Sequence, residues 1–217
     1  SMARGSAGRR MLLLSSGAVY GRIPPEILAI PEEWSGAPDT LTPASAYGEG
    51  KRISELVCAM AASARPGLEI SIARCFAFVG PHLPLDKHFA VGNFISAAMR
   101  GEDIRIQGDG TPLRSYLYAA DLAHWLWVML FDAPGGRAYN VGGAEGLSIG
   151  ELAHRVNSAL GGIGEVRIAQ APRPGTAPQA YVPSVDRIAA ELGLVPTVGL
   201  DDAILRTARW AGYTSKD

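Results

Sequence analysis

Unbroken apolar runs alternate along this chain with stretches in which apolar residues recur every three or four positions. RMLLLSS (Arg10–Ser16), LEISIARCFAFVG (Leu68–Gly80) and RAYNVGG (Arg137–Gly143) are the runs. They are too short for helices and lack in–out alternation, the pattern of strands buried in a parallel sheet. IRIQ (Ile104–Gln107), SYLY (Ser115–Tyr118) and VRIA (Val166–Ala169) predict shorter strands. Between the runs, Ile53, Leu56, Val57, Met60 and Ala61 repeat at helical spacing over Ser45–Ala64, behind the start signal Thr42-Pro43 and ahead of the stop Arg65-Pro66-Gly67. Further helices are predicted from about His88 to Met99 and from Asp121 along Leu122, Trp125, Leu126, Met129 and Leu130. Ser148-Ile149-Gly150-Glu151 has capping-box spacing and opens a helix to about Leu160. Pro183–Leu192 and Leu200–Trp210 close the chain as helices, while the proline-rich stretch after Ile23 and APRPGTAP read as loops. Strands alternating with helices predict an α/β protein with a mainly parallel sheet.

Composition narrows the classes. The chain has 217 residues, 47% hydrophobic and 19% charged, with a net charge of −1. That predicts one soluble domain, or a large domain with a small lobe. The near-neutral balance gives no footprint for nucleic acid or a membrane surface. No apolar run reaches the roughly 18 residues of a membrane span. Cys58 and Cys75 lack ligand spacing and fit a reducing cytoplasm, and the four histidines are scattered, so no metal site is expected.

Tyr47 and Lys51, four residues apart in SAYGEGK, share one helical face. A phenol is a poor base at neutral pH, and a nearby ammonium favours its phenolate, so the pair is a reasonable acid–base unit. Read alone, it is more readily an ordinary piece of helix surface. Ser16 stands at the carboxyl end of the first apolar run, where open α/β sheets present ligands. It would also serve as a turn cap. A strand-end serine followed by tyrosine and lysine on a helix resembles the Ser–Tyr–Lys set of the short-chain dehydrogenase/reductase superfamily, in its extended branch of NAD-dependent sugar-nucleotide epimerases and dehydratases. ARCFAFVGP (Ala73–Pro81), GNFI (Gly92–Ile95), IQGDGTPLRSYLYAADLA (Ile106–Ala123), YNVGG, SIGELA, APRPG and the ending DRIAAELGLVP…ILRTARW follow in that family's order.

The resemblance implies the C-terminal portion of a Rossmann-like doubly wound parallel sheet plus a small α+β substrate-binding lobe. Residues 1–80, with about 112–143, would form the Rossmann-like part, and 81–111 with 144–217 the lobe. Tyr47 would be the acid–base at a sugar hydroxyl, Lys51 would support the phenolate and bond the nicotinamide ribose, and Ser16 would hydrogen-bond the reacting oxygen. Arg74 and Phe76 would also border the cofactor, NAD or NADP. Asn93, Arg114 and Arg173 would hold a nucleotide-diphosphate sugar, since arginine's fork suits phosphate oxygens. As residues alone, the arginines also suit a solvated surface and Asn93 a helix cap; Asp121 suits a helix start better than catalysis. The family also implies a cytoplasmic homodimer formed through the tyrosine helix and a place in polysaccharide biosynthesis.

Two departures shape the expectation. The family opens with strand–Gly-x-x-Gly-x-x-Gly–helix, which cradles the dinucleotide pyrophosphate. This sequence has none; GSAG (Gly5–Gly8) precedes a strand instead of following one. Its first strand corresponds to about the fifth of the parent fold. The expectation is thus an N-terminally truncated member, inactive and without bound cofactor as it stands, with an open sheet edge covered by self-association or by a remodelled N-terminal part. Second, Gly17 and Ala18 stand where dehydratases and decarboxylases of the family carry acids. That favours 4-epimerase or 4-ketoreductase chemistry over 4,6-dehydration. Ala77 and Thr176 replace the usual asparagine and aspartate and leave the sugar and base open. The rival reading is a non-catalytic nucleotide-sugar-binding or assembly module. A hydrolase using Ser16 is the weakest, because no Gly-x-Ser-x-Gly elbow surrounds it.

Overall fold

The computed structural model describes residues 9–87 and 89–214. In chain order the elements are β1 (Arg9–Ser16), a 3-10 turn (Gly17–Tyr20), a second 3-10 turn (Pro43–Ser45), α1 (Ala46–Ala64), β2 (Leu68–Cys75), β3 (Phe78–Val79), α2 (Ala90–Met99), β4 (Ile104–Ile106), β5 (Leu113–Arg114), β6 (Leu117–Tyr118), α3 (Ala119–Asp132), β7 (Ala138–Val141), β8 (Leu147–Ser148), α4 (Ile149–Ala159), β9 (Val166–Ile168), β10 (Ala180–Tyr181), α5 (Asp186–Leu192) and α6 (Leu200–Trp210). The α/β class is borne out. The predicted second strand is two: β2 ends at Cys75 and the chain re-pairs as β3 with β6. His88, expected to open α2, lies outside the described residues, as do GSAG and the rest of residues 1–8.

The chain divides into two compact units. The first comprises Ser1–Phe76, Leu122–Gly142 and Pro183–Val195. Its sheet is parallel, in the order β1-β2-β7. Eight rungs join β1 to β2, from Arg9 opposite Leu68 to Ser16 opposite Cys75, and β2 continues to β7 from Ile72–Ala138 to Cys75–Val141. All three strands therefore end at one edge of the sheet, carrying Ser16, Cys75 and Val141. The expectation that RMLLLSS is fully buried is corrected. Among the described residues β1 is an edge strand, which leaves Met11 42% and Leu14 49% exposed. The unit's core centres on Trp125, Tyr139, Tyr20, Ile30, Met129 and Ile188.

The second unit comprises Ala77–Asp121, Gly143–Val182 and Pro196–Asp217. The segment 112–121 thus belongs here, and 183–195 to the first unit, in contrast to the sequence-based boundaries. Its small sheets are β10-β5-β8, β3-β6 and β4-β9. Ile95, Ile104, Leu152, Val156, Leu160 and Ile204 pack one closed core. The capping box opens α4 as expected: Ser148 Oγ accepts from Glu151 N, and Glu151 Oε2 accepts in turn from Ser148 N. Asp121 acts structurally, accepting from Thr197 N and Oγ1 and from Val198 N.

Candidate active site

The first unit assembles its site at the carboxyl end of β1. Ser16, 7% exposed, is the last residue of the strand, and its Oγ accepts from Ala18 N at 3.2 Å, starting the 3-10 turn. The turn-cap reading of Ser16 is thus realised. Above this turn lies the start of α1, brought close by Gly48. A Cβ there would stand 2.7 Å from Ala18 O, so any larger residue would push helix and turn apart. Lys51, one turn on, donates from Nζ to Leu14 O at 2.8 Å. Its ammonium lies 5.8 Å from the centroid of the Tyr47 ring. Tyr47 itself is 61% exposed and open to a ligand from solvent.

The amphipathic pattern of α1 runs opposite to the usual sense. Gly48 and Cys58 are its buried residues, with Lys51 and Glu55 half-buried on the same face. The apolar repeat points outward, with Ile53, Leu56, Val57 and Met60 all at least 55% exposed. Polar contacts therefore seat this helix. Glu55 accepts from Ser15 Oγ at 2.5 Å and takes both forks of Arg74, at 3.1 and 2.7 Å.

Arg74, expected to border a cofactor, spends its donors on the protein. Besides Glu55 it bonds Tyr20 Oη at 3.0 Å and Glu32 O at 3.2 Å, and it lies 4.9 Å from the Tyr20 ring. Burial alone would lower its pKa, but Glu55 and Tyr20 outweigh that and raise it. Tyr20 then donates to Asn140 Oδ1 at 2.7 Å. Asn140, fully buried, donates from its side chain to Ile30 O and Ser184 O and from its backbone N–H to Glu32 Oε1. Burial raises the Tyr20 pKa and holds the phenol as that donor. This chain of bonds was missed from sequence. Its signals were Glu55, one turn after Lys51, and an asparagine inside the buried run RAYNVGG. Phe76, just past β2, has its ring 6.4 Å from that of Tyr20. Burial pushes the Cys75 thiol up to about 11, so it is no ready nucleophile.

Asn93, Arg114 and Arg173 all lie in the second unit. Arg114 is half-buried on β5 and bonds the carbonyls of Leu113 at 2.7 Å and Gln179 at 3.4 Å. The Tyr181 ring lies 5.6 Å from its guanidinium. Among the described residues it has no carboxylate partner, and burial lowers its pKa. Tyr116 beside it is pushed by burial to about 12. Arg173 is exposed in its loop and adds to the lowering of the Asp109 carboxyl, which is held down first by Thr111. Asn93 is exposed on the first turn of α2, where its backbone N–H donates to Phe89 O. No cluster of metal-ligating groups occurs among the described residues. No helix among them is long and apolar enough to cross a membrane.

A parallel sheet with a serine at the end of its first strand, and a tyrosine and lysine on the following helix, defines an open α/β protein with these groups at the carboxyl end of its strands. The chain belongs to the NAD dependent epimerase/dehydratase family, whose model matches residues 1–142. UDP-glucuronic acid decarboxylase 1 of Xenopus tropicalis is 30% identical over 203 residues, 94% of this chain and 47% of that protein. The chain thus spans about half the length of that curated relative. UDP-glucose 4-epimerase of Thermotoga maritima, solved with UDP-glucose, matches with a TM-score of 0.79 at 22% identity, over 93% of this chain and 63% of that one. UDP-glucose 4-epimerase of Thermus thermophilus, solved with NAD, gives 0.74 at 27% identity, over 95% and 65%. The likeness to the Thermotoga enzyme is one of fold.

The donor set fits one end of such a dinucleotide. Lys51, Tyr47 and Ser16 suit a nicotinamide ribose and a reacting hydroxyl. No glycine-rich strand–helix turn for the pyrophosphate occurs in this sequence.

Proposed function

We propose that this sequence carries the acid–base and substrate-binding parts of an NAD(P)-dependent enzyme acting on a nucleotide-diphosphate sugar. The observation that carries the reading is the bond from Lys51 to Leu14 O, which pins the Tyr47 helix at the end of β1, two residues before Ser16. The cofactor, when bound, supplies hydride acceptance and return at a sugar carbon. Tyr47 takes and returns the hydroxyl proton at that carbon. Ser16 hydrogen-bonds the same oxygen, and Lys51 stabilises negative charge on the phenol oxygen and bonds the cofactor ribose. Arg114 faces the diphosphate, which would supply the negative partner its half-buried guanidinium lacks among the described residues; Arg173 and Asn93 assist.

Gly17 and Ala18 open the 3-10 turn without a proton-carrying side chain. This supports 4-epimerase or 4-ketoreductase chemistry, in which Tyr47 is the one acid–base group required. A second reading, decarboxylation of a nucleotide-linked uronic acid, is favoured by the 30% identity to the Xenopus enzyme. A non-catalytic nucleotide-sugar-binding module is the rival from another class. The exposed stripe Ile53, Leu56, Val57 and Met60 supports a homodimer through α1.

Two measurements test this. Genomic sequence upstream of the Met2 codon discriminates enzyme from module: an in-frame Gly-x-x-Gly-x-x-Gly supports the enzyme, and an immediate in-frame stop contradicts it. Proton NMR of UDP-glucose and UDP-glucuronic acid, incubated with NAD and the protein encoded by that reading frame, then separates epimer from decarboxylated product. Tyr47→Phe is expected to lower turnover by about 10²–10⁴-fold. Full activity in that variant contradicts the assignment.

A further inference from the structure

We propose that Glu55 is a positioning residue, whose carboxylate sets the rotation and height of α1 and so places Tyr47 and Lys51 beside Ser16. This rests on the roles given above to Tyr47 and Lys51. A helix is usually seated by its apolar face. In α1 that face is turned outward, so hydrophobic burial does not fix its register against the sheet. What seats the helix is the close approach of Gly48 to Ala18 O, the small buried Cys58, the bonds from Lys51 to Leu14 O and from Arg52 to Val19 O and Gly36 O, and the Glu55 carboxylate.

The carboxylate is the strongest of these. It receives one hydroxyl donor from β1 and a two-pronged guanidinium from β2, with side chains only 12% exposed for Glu55 and 16% for Arg74. Charge-assisted, bidentate bonds of this kind are strong and directional. A rotation of α1 by one residue, about 100°, would break all three together. The far side of the clamp is stiff as well, because Arg74 is braced by Tyr20 Oη and Glu32 O. Tyr47, Lys51 and Glu55 follow at intervals of four on one face, so what Glu55 fixes is carried about 12 Å along the helix to Tyr47.

The test reads the helix position at Lys51 by competitive acetylation and mass spectrometry of the 217-residue chain, with exposed Lys87 as internal reference. Lys51, engaged with Leu14 O, is expected to react more slowly than Lys87. Glu55→Gln should raise the Lys51 rate about tenfold, leaving Lys87 unchanged. Because that change also removes a nearby charge, two charge-conserving variants decide the matter. Arg74→Lys, which loses the fork, and Ser15→Ala, which loses one bond, should each raise the Lys51 rate about threefold. Wild-type Lys51 rates in both overturn the proposal, whether or not Glu55→Gln has an effect and even if that variant fails to fold. Failure of the chain to bind any nucleotide sugar would sink the proposed function and leave these rates as they are.

Discussion

The two units of this chain are ordered by different interactions. The second buries Ile95, Ile104, Leu152, Val156, Leu160 and Ile204 in one closed apolar core. The first also has an apolar core, around Trp125, Tyr139, Ile30, Met129 and Ile188, but it buries Ser15, Ser16, Glu32, Ser71 and Asn140 as well, and leaves Met11, Leu14, Ile53, Leu56, Val57, Met60, Trp127 and Phe131 exposed. Directional bonds add to that core in holding its elements in register, in keeping with the acid–base role proposed for Tyr47 and Lys51. The contrast teaches that unused apolar surface and a polar interior go together here: a helix that turns polar residues inward to a site turns its apolar stripe outward.

The largest effect expected is in the second unit. Leu152→Ala, at a fully buried position, should cost about 2–5 kcal/mol in thermal or urea unfolding. Asn140→Ala in the first unit should cost about 1–3 kcal/mol, by orphaning Tyr20 Oη and the carbonyls of Ile30 and Ser184. A larger loss at Asn140 than at Leu152 would break the comparison, since the polar bonds would then outweigh the apolar core. Replacing Ile53 and Met60 by serine should change stability by no more than about 0.5 kcal/mol each. It should nevertheless lower the sedimentation coefficient if α1 is a self-association face, and an unchanged coefficient would remove that role.

The smallest effect is on the acid side. Arg137, with Tyr139, holds the Glu191 carboxyl down at about 2, below its ordinary 4.5. Its contribution is therefore present above the ordinary value and lost as the pH falls from about 4.5 toward 2. Acid unfolding of Glu191→Gln should be less steep across that window, and an identical profile would show that the pair carries nothing.

Much of this was legible beforehand. The run ending in Ser16, the capping box at Ser148 and the helical repeat in α1 all reflect local rules, and each lies where the pattern put it, whereas the run from Leu68 to Gly80 divides after Cys75. The two-residue strands β5, β8 and β10 were not legible, because segments so short take their conformation from partners distant in sequence. The outward turn of the α1 stripe was hidden for a related reason. Periodicity shows that a helix has an apolar face, but not which way that face turns. The bonds of Arg74 were hidden because its partners Glu55 and Tyr20 lie 19 and 54 residues away and share no motif with it.

The account stands most directly on the claim that this chain grips a nucleotide-diphosphate sugar through Arg114. Isothermal titration calorimetry of the chain with UDP-glucose and with UDP-glucuronic acid tests it, beside the Arg114→Ala variant and with NAD as a comparison ligand. The account predicts saturable binding of a UDP-sugar, weakened at least about tenfold in the variant, with little heat from NAD at micromolar concentration. No binding of either sugar nucleotide, or equal affinity in Arg114→Ala, would contradict it.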